Sequence, residues 1–254
     1  MIEIVKMGLM KIIPNKQLGQ IYFLTEQNVN ANITMLYITL LCLFGGVYLP
    51  KTDKETLHKI HEAAEKEFLE KGFKDASLRN IVKRVGVTTG AFYGYYKSKE
   101  ELFEALVGPV AEHFLNRFSE TIQNFNTLPA EEQKKQMGNY SNNFAVEGIK
   151  FAYNHLNCMK LLLTASGGTR YENFVHDIVE LEIESTHRFM ECMEHAGMSH
   201  IKMNPYFEHT ITSGMYNSMF ELIIHDVPYE EALECAKEIC KFYQAGWSAC
   251  MGFC

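Results

Sequence analysis

From residue 52 onward, apolar positions recur every three or four residues, the spacing of one face of an α-helix. Leu57, Ile60, Ala64 and Phe68 form the first such stripe. Thr52-Asp53-Lys54-Glu55 precedes it as a capping box, in which the Thr52 hydroxyl accepts from the Glu55 amide. Gly72 ends the stripe as a left-handed cap, and Phe73 folds back onto the last turn. Asp75 or Ser77 opens a second, short helix with Leu78, Ile81, Val82 and Val85 inside, stopped by Gly86. Thr88 caps a third helix running to Tyr96. Ser98 and Glu101 form a second capping box, opening a helix with Leu102, Phe103 and Leu106 on its apolar side. The same periodicity predicts helices over 99–125, 130–156, 157–165, 171–197, 205–226 and 229–251. The breaks fall at "NTLPAEE", "ASGGTRY", "HAGMSHIKMNP" and "HDVPYEE", with Pro129, Pro205 and Pro228 where first-turn prolines are tolerated. No strand alternation occurs, so the fold class is all-α.

Two short helices joined by a glycine turn, after a longer first helix, are the signature of a helix-turn-helix. The third helix is then the one that enters the major groove. It begins with small residues, Thr88, Thr89, Gly90 and Ala91, which permit close approach to DNA. Phe92 points to the three-helix core, while Tyr93, Tyr95 and Tyr96 bring hydroxyls for phosphates. Lys97 and Lys99 add charge where the chain leaves the groove. Lys99 sits in the first turn of a helix, a poor place for a cation unless an anion is near, and a phosphate would serve.

Charge sharpens this picture. The net charge of −7 excludes a generally basic coat, and 47% hydrophobic residues is ordinary for a globular chain. Yet Arg79, Lys83, Arg84, Lys97 and Lys99 fall in a stretch with no acid, one local face for a polyanion. Seven cysteines without regular spacing are read as reduced thiols, which with the absence of a membrane partner implies a cytoplasmic protein.

The run "FLEKGFKDASLRNIVKRVGVTTGAFYGYYKSKEELFEAL" closely resembles the DNA-binding domain of TetR-type transcriptional regulators. Ala64, Phe68 and Gly72 match the first-helix signature; Ile81, Val85-Gly86-Val87, Gly90, Phe92-Tyr93, Tyr96, Lys97 and Lys99 match the turn and recognition helix. Val85 stands where alanine is usual, and Gly94 where a larger residue is common. The resemblance implies that Thr89, Gly90 and Ala91 approach bases. It implies that Ser77, Thr88, Tyr93, Tyr95, Lys97 and Lys99 hold the backbone; Tyr96 completes the DNA-binding set. It further implies a ligand-responsive repressor of double-stranded operator DNA, released by a small-molecule effector, and not an enzyme. The domains expected are an extension (1–49), the helix-turn-helix domain (50–105) and a helical ligand-binding and dimerisation domain (106–254).

In the last domain, two stripes suit a dimer built from the two C-terminal helices. One is Phe207, Ile211, Met215, Met219 and Leu222 or Ile223; the other is Leu233, Ala236, Ile239 or Cys240, Tyr243 and Trp247. The alternative is that they bury against their own chain. An effector pocket among the middle helices would use Tyr140, Phe144, Phe151, His155, Met159, Tyr171, Phe174 and Met190. No cofactor and no metal are expected: His187 with Cys192, and Cys235 with Cys240, are five residues apart, which splays rather than pairs them, and Cys192 with His195 fit in spacing but are only two ligands. G-x-S-x-G, P-loop, G-x-G-x-x-G and H-E-x-x-H motifs are missing, so no catalytic residues are assigned and an all-helical enzyme is the minor alternative.

The segment Ile33–Leu49 is uncharged, near the short limit for a membrane span. A membrane tether and a secretory signal are two readings. The third, which the start of capped helices only at residue 52 favours, is translation from upstream of the natural start, Leu49 being a misread TTG codon behind Gly45-Gly46.

Overall fold

The computed structural model describes residues 53–198 and 201–252. The expectations for residues 1–49 and for Thr52 lie outside them. Nine α-helices are formed among the described residues: α1 (Lys54–Asp75), α2 (Leu78–Val85), α3 (Thr89–Phe92), α4 (Lys99–Asn126), α5 (Ala130–Asn154), α6 (Leu156–Lys160), α7 (Phe174–His195), α8 (Pro205–Ile224) and α9 (Tyr229–Met251). A π-helical turn, Leu161–Ala165, follows α6. The described residues contain no strand. None of their helices is long and apolar enough to cross a membrane.

The first helix is capped by Asp53, whose carboxylate accepts from the Glu55 amide at 3.2 Å and the Thr56 hydroxyl at 3.0 Å. Its regular part stops at Gly72, where φ 72° and ψ 165° describe a backbone that essentially only glycine adopts. Ser77 precedes α2, yet its side chain makes no capping bond. Gly86 ends α2 in the left-handed region, and the amides of Gly86 and Val87 both donate to the Val82 carbonyl. Thr88 caps α3 by accepting from the Ala91 amide at 3.1 Å. The helix then stops at Phe92, four residues before the expected Tyr96. The Gly94 amide bonds Ala91 and the Tyr95 amide bonds Phe92, three-residue steps that tighten the chain into a turn. Ser98 caps α4 as expected, accepting from the Glu101 amide, while Glu101 reaches back to the Lys97 amide.

Thr52–Cys254 forms one compact unit. Its main core runs from Ile60, Phe68, Ile81 and Phe92 through Phe103 and Phe114 to Phe174 and Ile223. Phe103 meets both Phe68 and Phe73 edge-on, at 5.1 and 5.3 Å between ring centroids. Helix α9 packs chiefly on α5. Consequently the stripe residues Met215, Met219, Ile223, Cys240, Tyr243 and Trp247 line a partly open cavity, and Leu222 and Ala236 join a second core with Ile149. Much of both stripes thus meets its own chain, while Phe207 at the start of α8 is 43% exposed and Ile211, Leu233 and Ile239 are half-buried.

One polar group is locked into the helix-turn-helix core. Positions 60, 64, 67 and 71 continue one face of α1, so Glu67 falls on the buried side and is fully inaccessible. Its Oε1 accepts from Lys71 Nζ at 2.7 Å, Asn80 Nδ2 at 3.0 Å and the Ser77 amide at 3.2 Å. Oε2 lies 3.4 Å from Arg84. Burial pushes this carboxyl upward, but the bonds from Lys71, Asn80 and Ser77 outweigh it and bring it down to about 2. A buried charge stripped of its partner, or the reverse, costs about 3 kcal/mol or more. Glu67→Ala is therefore expected to lower stability by about 3 kcal/mol, measured by urea unfolding. Because the folded value lies below the ordinary 4.5, the Glu67 contribution is complete above that pH and is lost as pH falls toward 2. Glu67→Gln should remove that part of the acid dependence.

Candidate nucleic-acid interface and cavity

The turn after α2 and the short α3 present a row of accessible residues. Thr88, Thr89, Gly90, Ala91, Tyr93 and Lys97 are exposed; Ser77 and Tyr95 are half-buried. Phe92 is completely buried beneath them and anchors the row on the core. A Cβ added at Gly90 would meet nothing closer than Thr88 Oγ1 at 3.8 Å, so the fold itself does not require glycine there. Thr88 Oγ1 is used as an acceptor within its cap, which leaves its hydroxyl proton for an outside acceptor.

Two residues of the expected DNA-binding set are occupied inside the protein. Lys99 Nζ donates to the carbonyls of Phe73 at 2.6 Å, Lys74 at 3.1 Å and Ala76 at 3.1 Å. It also lies over the Phe73 ring, 4.5 Å from its centroid. An ammonium has three N–H donors, and all three are spent on the carbonyl end of α1. The negative ends of these carbonyl dipoles thus offset the unfavourable position of Lys99 in the first turn of α4. Tyr96 is half-buried, and its hydroxyl is bonded to His61 Nε2 of α1. Burial pushes the His61 imidazole below its ordinary value and the Tyr96 phenol above its own, which favours the neutral form of each. A neutral imidazole nitrogen can take the phenol proton that a phosphate would otherwise accept.

The basic stretch divides in the same way. Arg84 is paired with Glu70 at 2.8 Å. Arg79, Lys83 and Lys97 are exposed, with no ion pair recorded among the described residues. Sequence spacing missed this division, because the partners of Arg84 and Lys99 lie on α1, far away in the chain.

Beyond the interface, α4, α5, α7, α8 and α9 line a partly open cavity of about 160 Å³. Its walls are largely aromatic: Phe114, Phe118, Phe125, Tyr140, Phe144, Phe189, Tyr216 and Trp247. Of the eight expected pocket residues, Tyr140 and Phe144 line it. The other six lie elsewhere. Phe151 stacks on His113 and meets His155 at a tilt, at 4.9 and 4.6 Å between centroids. Met159 and Phe174 fill the main core, and Met190 packs in a third cluster with Phe189 and Met193. Tyr171 donates to Glu104 at 2.7 Å, fastening the loop before α7 to α4.

Glu182 is the acidic group among the residues lining the cavity, and the Tyr216 hydroxyl donates to its Oε2 at 3.1 Å. Burial pushes the Glu182 carboxyl above its ordinary value, with the Tyr216 bond opposing. Burial and the facing carboxylate hold the Tyr216 phenol well above its own. Periodicity alone did not single out Glu182. Its one signal was an acid between Ile178, Leu181 and Ser185 on the inner side of an amphipathic helix.

A short helix pair joined by a glycine turn, a third helix with small accessible residues, and unpaired cations beside it define a helix-turn-helix DNA-binding domain. Residues 60–106 match the family described as bacterial regulatory proteins, tetR family. Over 83 residues the chain is 32% identical to the uncharacterized HTH-type transcriptional regulator YdgC of Bacillus subtilis, covering 33% of this chain and 42% of that one. Over 59 residues it is 39% identical to the HTH-type transcriptional regulator TtgR of Pseudomonas putida, covering 23% and 28%. The chain thus spans less than half the length of these relatives. The crystal structure of the transcriptional regulator FadR from Bacillus subtilis in complex with stearoyl-CoA aligns with a TM-score of 0.46 at 13% identity, over 74% of this chain and 97% of that one.

The distinct environments of the two lysines give a direct comparison. Lys99→Ala should lower the melting temperature by several degrees, because three carbonyls lose their donor. Lys97→Ala should leave it unchanged. Thermal unfolding followed by circular dichroism reads both.

Proposed function

We propose that the chain is a ligand-responsive DNA-binding transcriptional regulator, a repressor released from its operator by a small molecule, with no catalytic role. One observation carries this reading: α4 belongs to both sites. Leu102, Phe103 and Leu106 at its start are buried in the three-helix core, and Phe114, Phe118, Ile122 and Phe125 further along wall the cavity. Pro109 lies between the two parts and leaves the Ala105 carbonyl without its usual amide. An occupant that displaces the distal part of α4 displaces the helix-turn-helix with it. Release from DNA then requires only that the effector bind the displaced state more tightly.

Thr89, Gly90 and Ala91 approach base edges, and Ser77, Thr88, Tyr93, Tyr95 and Lys97 contact the backbone. Tyr96 and Lys99 position the reading segment from within. So short an element reads few base pairs, so a homodimer doubles the site. The outward side of α9 supports such pairing: Phe242 is 74% exposed, with Ala245, Gly246 and Ala249 exposed on the same face. For the effector, aromatic walls around one carboxyl favour an apolar molecule bearing a cationic or hydrogen-bond-donating group.

Selection of DNA by the purified chain, followed by gel shift on the enriched sequence and on its own upstream DNA, tests the proposal. Lys97→Ala should weaken binding to all sequences and reduce the salt slope by about one. Gly90→Ala should leave melting unchanged while weakening specific binding. No enrichment at low salt would overturn the reading. On the operator found, Glu182→Gln should raise the concentration of a cationic effector needed for release by roughly tenfold. A neutral effector of the same shape should be unaffected.

A further inference from the structure

Among the described residues, one group of side chains brings three metal-ligating atoms together: those of His176, Glu180 and His209, all within 4.8 Å of one another. We propose that these three residues bind a borderline divalent metal ion, with zinc as the first candidate, and that the ion clamps α7 to α8. His176 and Glu180 are four residues apart, so they stand on one face of α7 in successive turns. His209 comes from the second turn of α8 and faces them. Glu180 Oε1 lies 4.0 Å from His176 Nδ1 and 3.5 Å from His209 Nε2, and the two imidazole centroids are 5.9 Å apart.

Tetrahedral zinc with bonds of about 2.1 Å sets its ligand atoms about 3.4 Å apart. The two separations from Glu180 approach that value, and the three ligand atoms all lie within 4.8 Å. All three side chains are exposed, so small rotations of unpacked groups close the remainder. Two imidazoles and one carboxylate suit zinc, copper or nickel over magnesium or calcium, and the fourth position stays open to water. Asp177 and Glu184 line the same surface depression as Glu180 and make it attractive to a cation.

Histidine–glutamate pairs at this spacing occur elsewhere, at His58–Glu62 and His225–Glu221, and these are ordinary two-residue contacts on one helix. The difference at His176 is a third ligand delivered by another helix. The residues whose spacing the sequence raised for a metal are engaged separately. His187 is bonded to Glu208 at 2.9 Å, His195 to the Glu191 carbonyl, and Cys192 is approached by Gln133. The clamp would act close to the effector cavity, because the Glu182–Tyr216 bond spans the same two helices.

The proposal is tested on the full chain by calorimetric titration with Zn²⁺ and by visible absorption with Co²⁺. One equivalent should bind, with d–d bands but no thiolate charge-transfer absorption, and Zn²⁺ should raise the melting temperature. His209→Ala and Glu180→Gln should each weaken binding tenfold or more, since losing a ligand costs at least what losing a supporting outer partner does. Both positions are exposed, and melting without metal verifies that each variant folds. His176→Ala provides a third reading if either does not. The proposal fails if Zn²⁺ does not bind saturably, if affinity is unchanged in the variants, or if thiolate absorption shows that cysteines hold the metal.

Discussion

A carboxylate sealed inside a three-helix core sets the geometry on which this protein depends. Glu67 gathers Lys71 from its own helix, the amide at the start of α2, and Asn80 and Arg84 from within α2. Apolar contacts such as Phe68 against Phe103 supply much of the cohesion, but they are nondirectional and permit sliding. The Glu67 bonds are directional and fix where α2 sits on α1. Since α3 follows α2 after a turn closed by Gly86, the placement of the reading segment descends from that one side chain.

The second constraint is that α4 is shared. Its start is tied to the end of α1 through Lys99 and to the core through Leu102 and Phe103. Its distal part forms cavity wall, and Glu104 receives Tyr171 from the loop before α7. The helix therefore has fixed contacts on both sides of Gly108-Pro109, with the weakened hydrogen-bond ladder between them. Such a layout lets a local repacking around Phe114 and Phe118 emerge as a rotation of the helix, because packed cores shift between discrete arrangements.

The helices were largely legible in the sequence, because capping residues and prolines mark them locally: α4, α5, α8 and α9 begin where Ser98, Pro129, Pro205 and Pro228 place them. The helix-turn-helix was legible for the same reason. What periodicity could not convey was the direction each stripe faces. Met215, Met219 and Trp247 are as apolar as a dimer seam requires, and only their packing beside α5 turns them inward. Likewise Lys99 and Tyr96 match a DNA-binding pattern by type and position, yet their partners, Phe73 and His61, are tens of residues distant. The buried position of Glu67 could have been found by extending the face of Ile60 and Ala64 by one more turn.

The accessible trio Thr89, Gly90 and Ala91 is separate from the residues that hold the domain together. Phe92, Tyr96 and Lys99 carry the packing and the internal bonds within the same eleven-residue span, 89–99. On the proposed reading, specificity and foldability are encoded in different side chains. If the trio reads the operator as proposed, a lineage of such proteins can explore new operators by changing it while the scaffold remains intact. Conversely, a conservative-looking exchange of Lys99 for arginine would be the damaging one, because a planar guanidinium cannot converge on three carbonyls as an ammonium does.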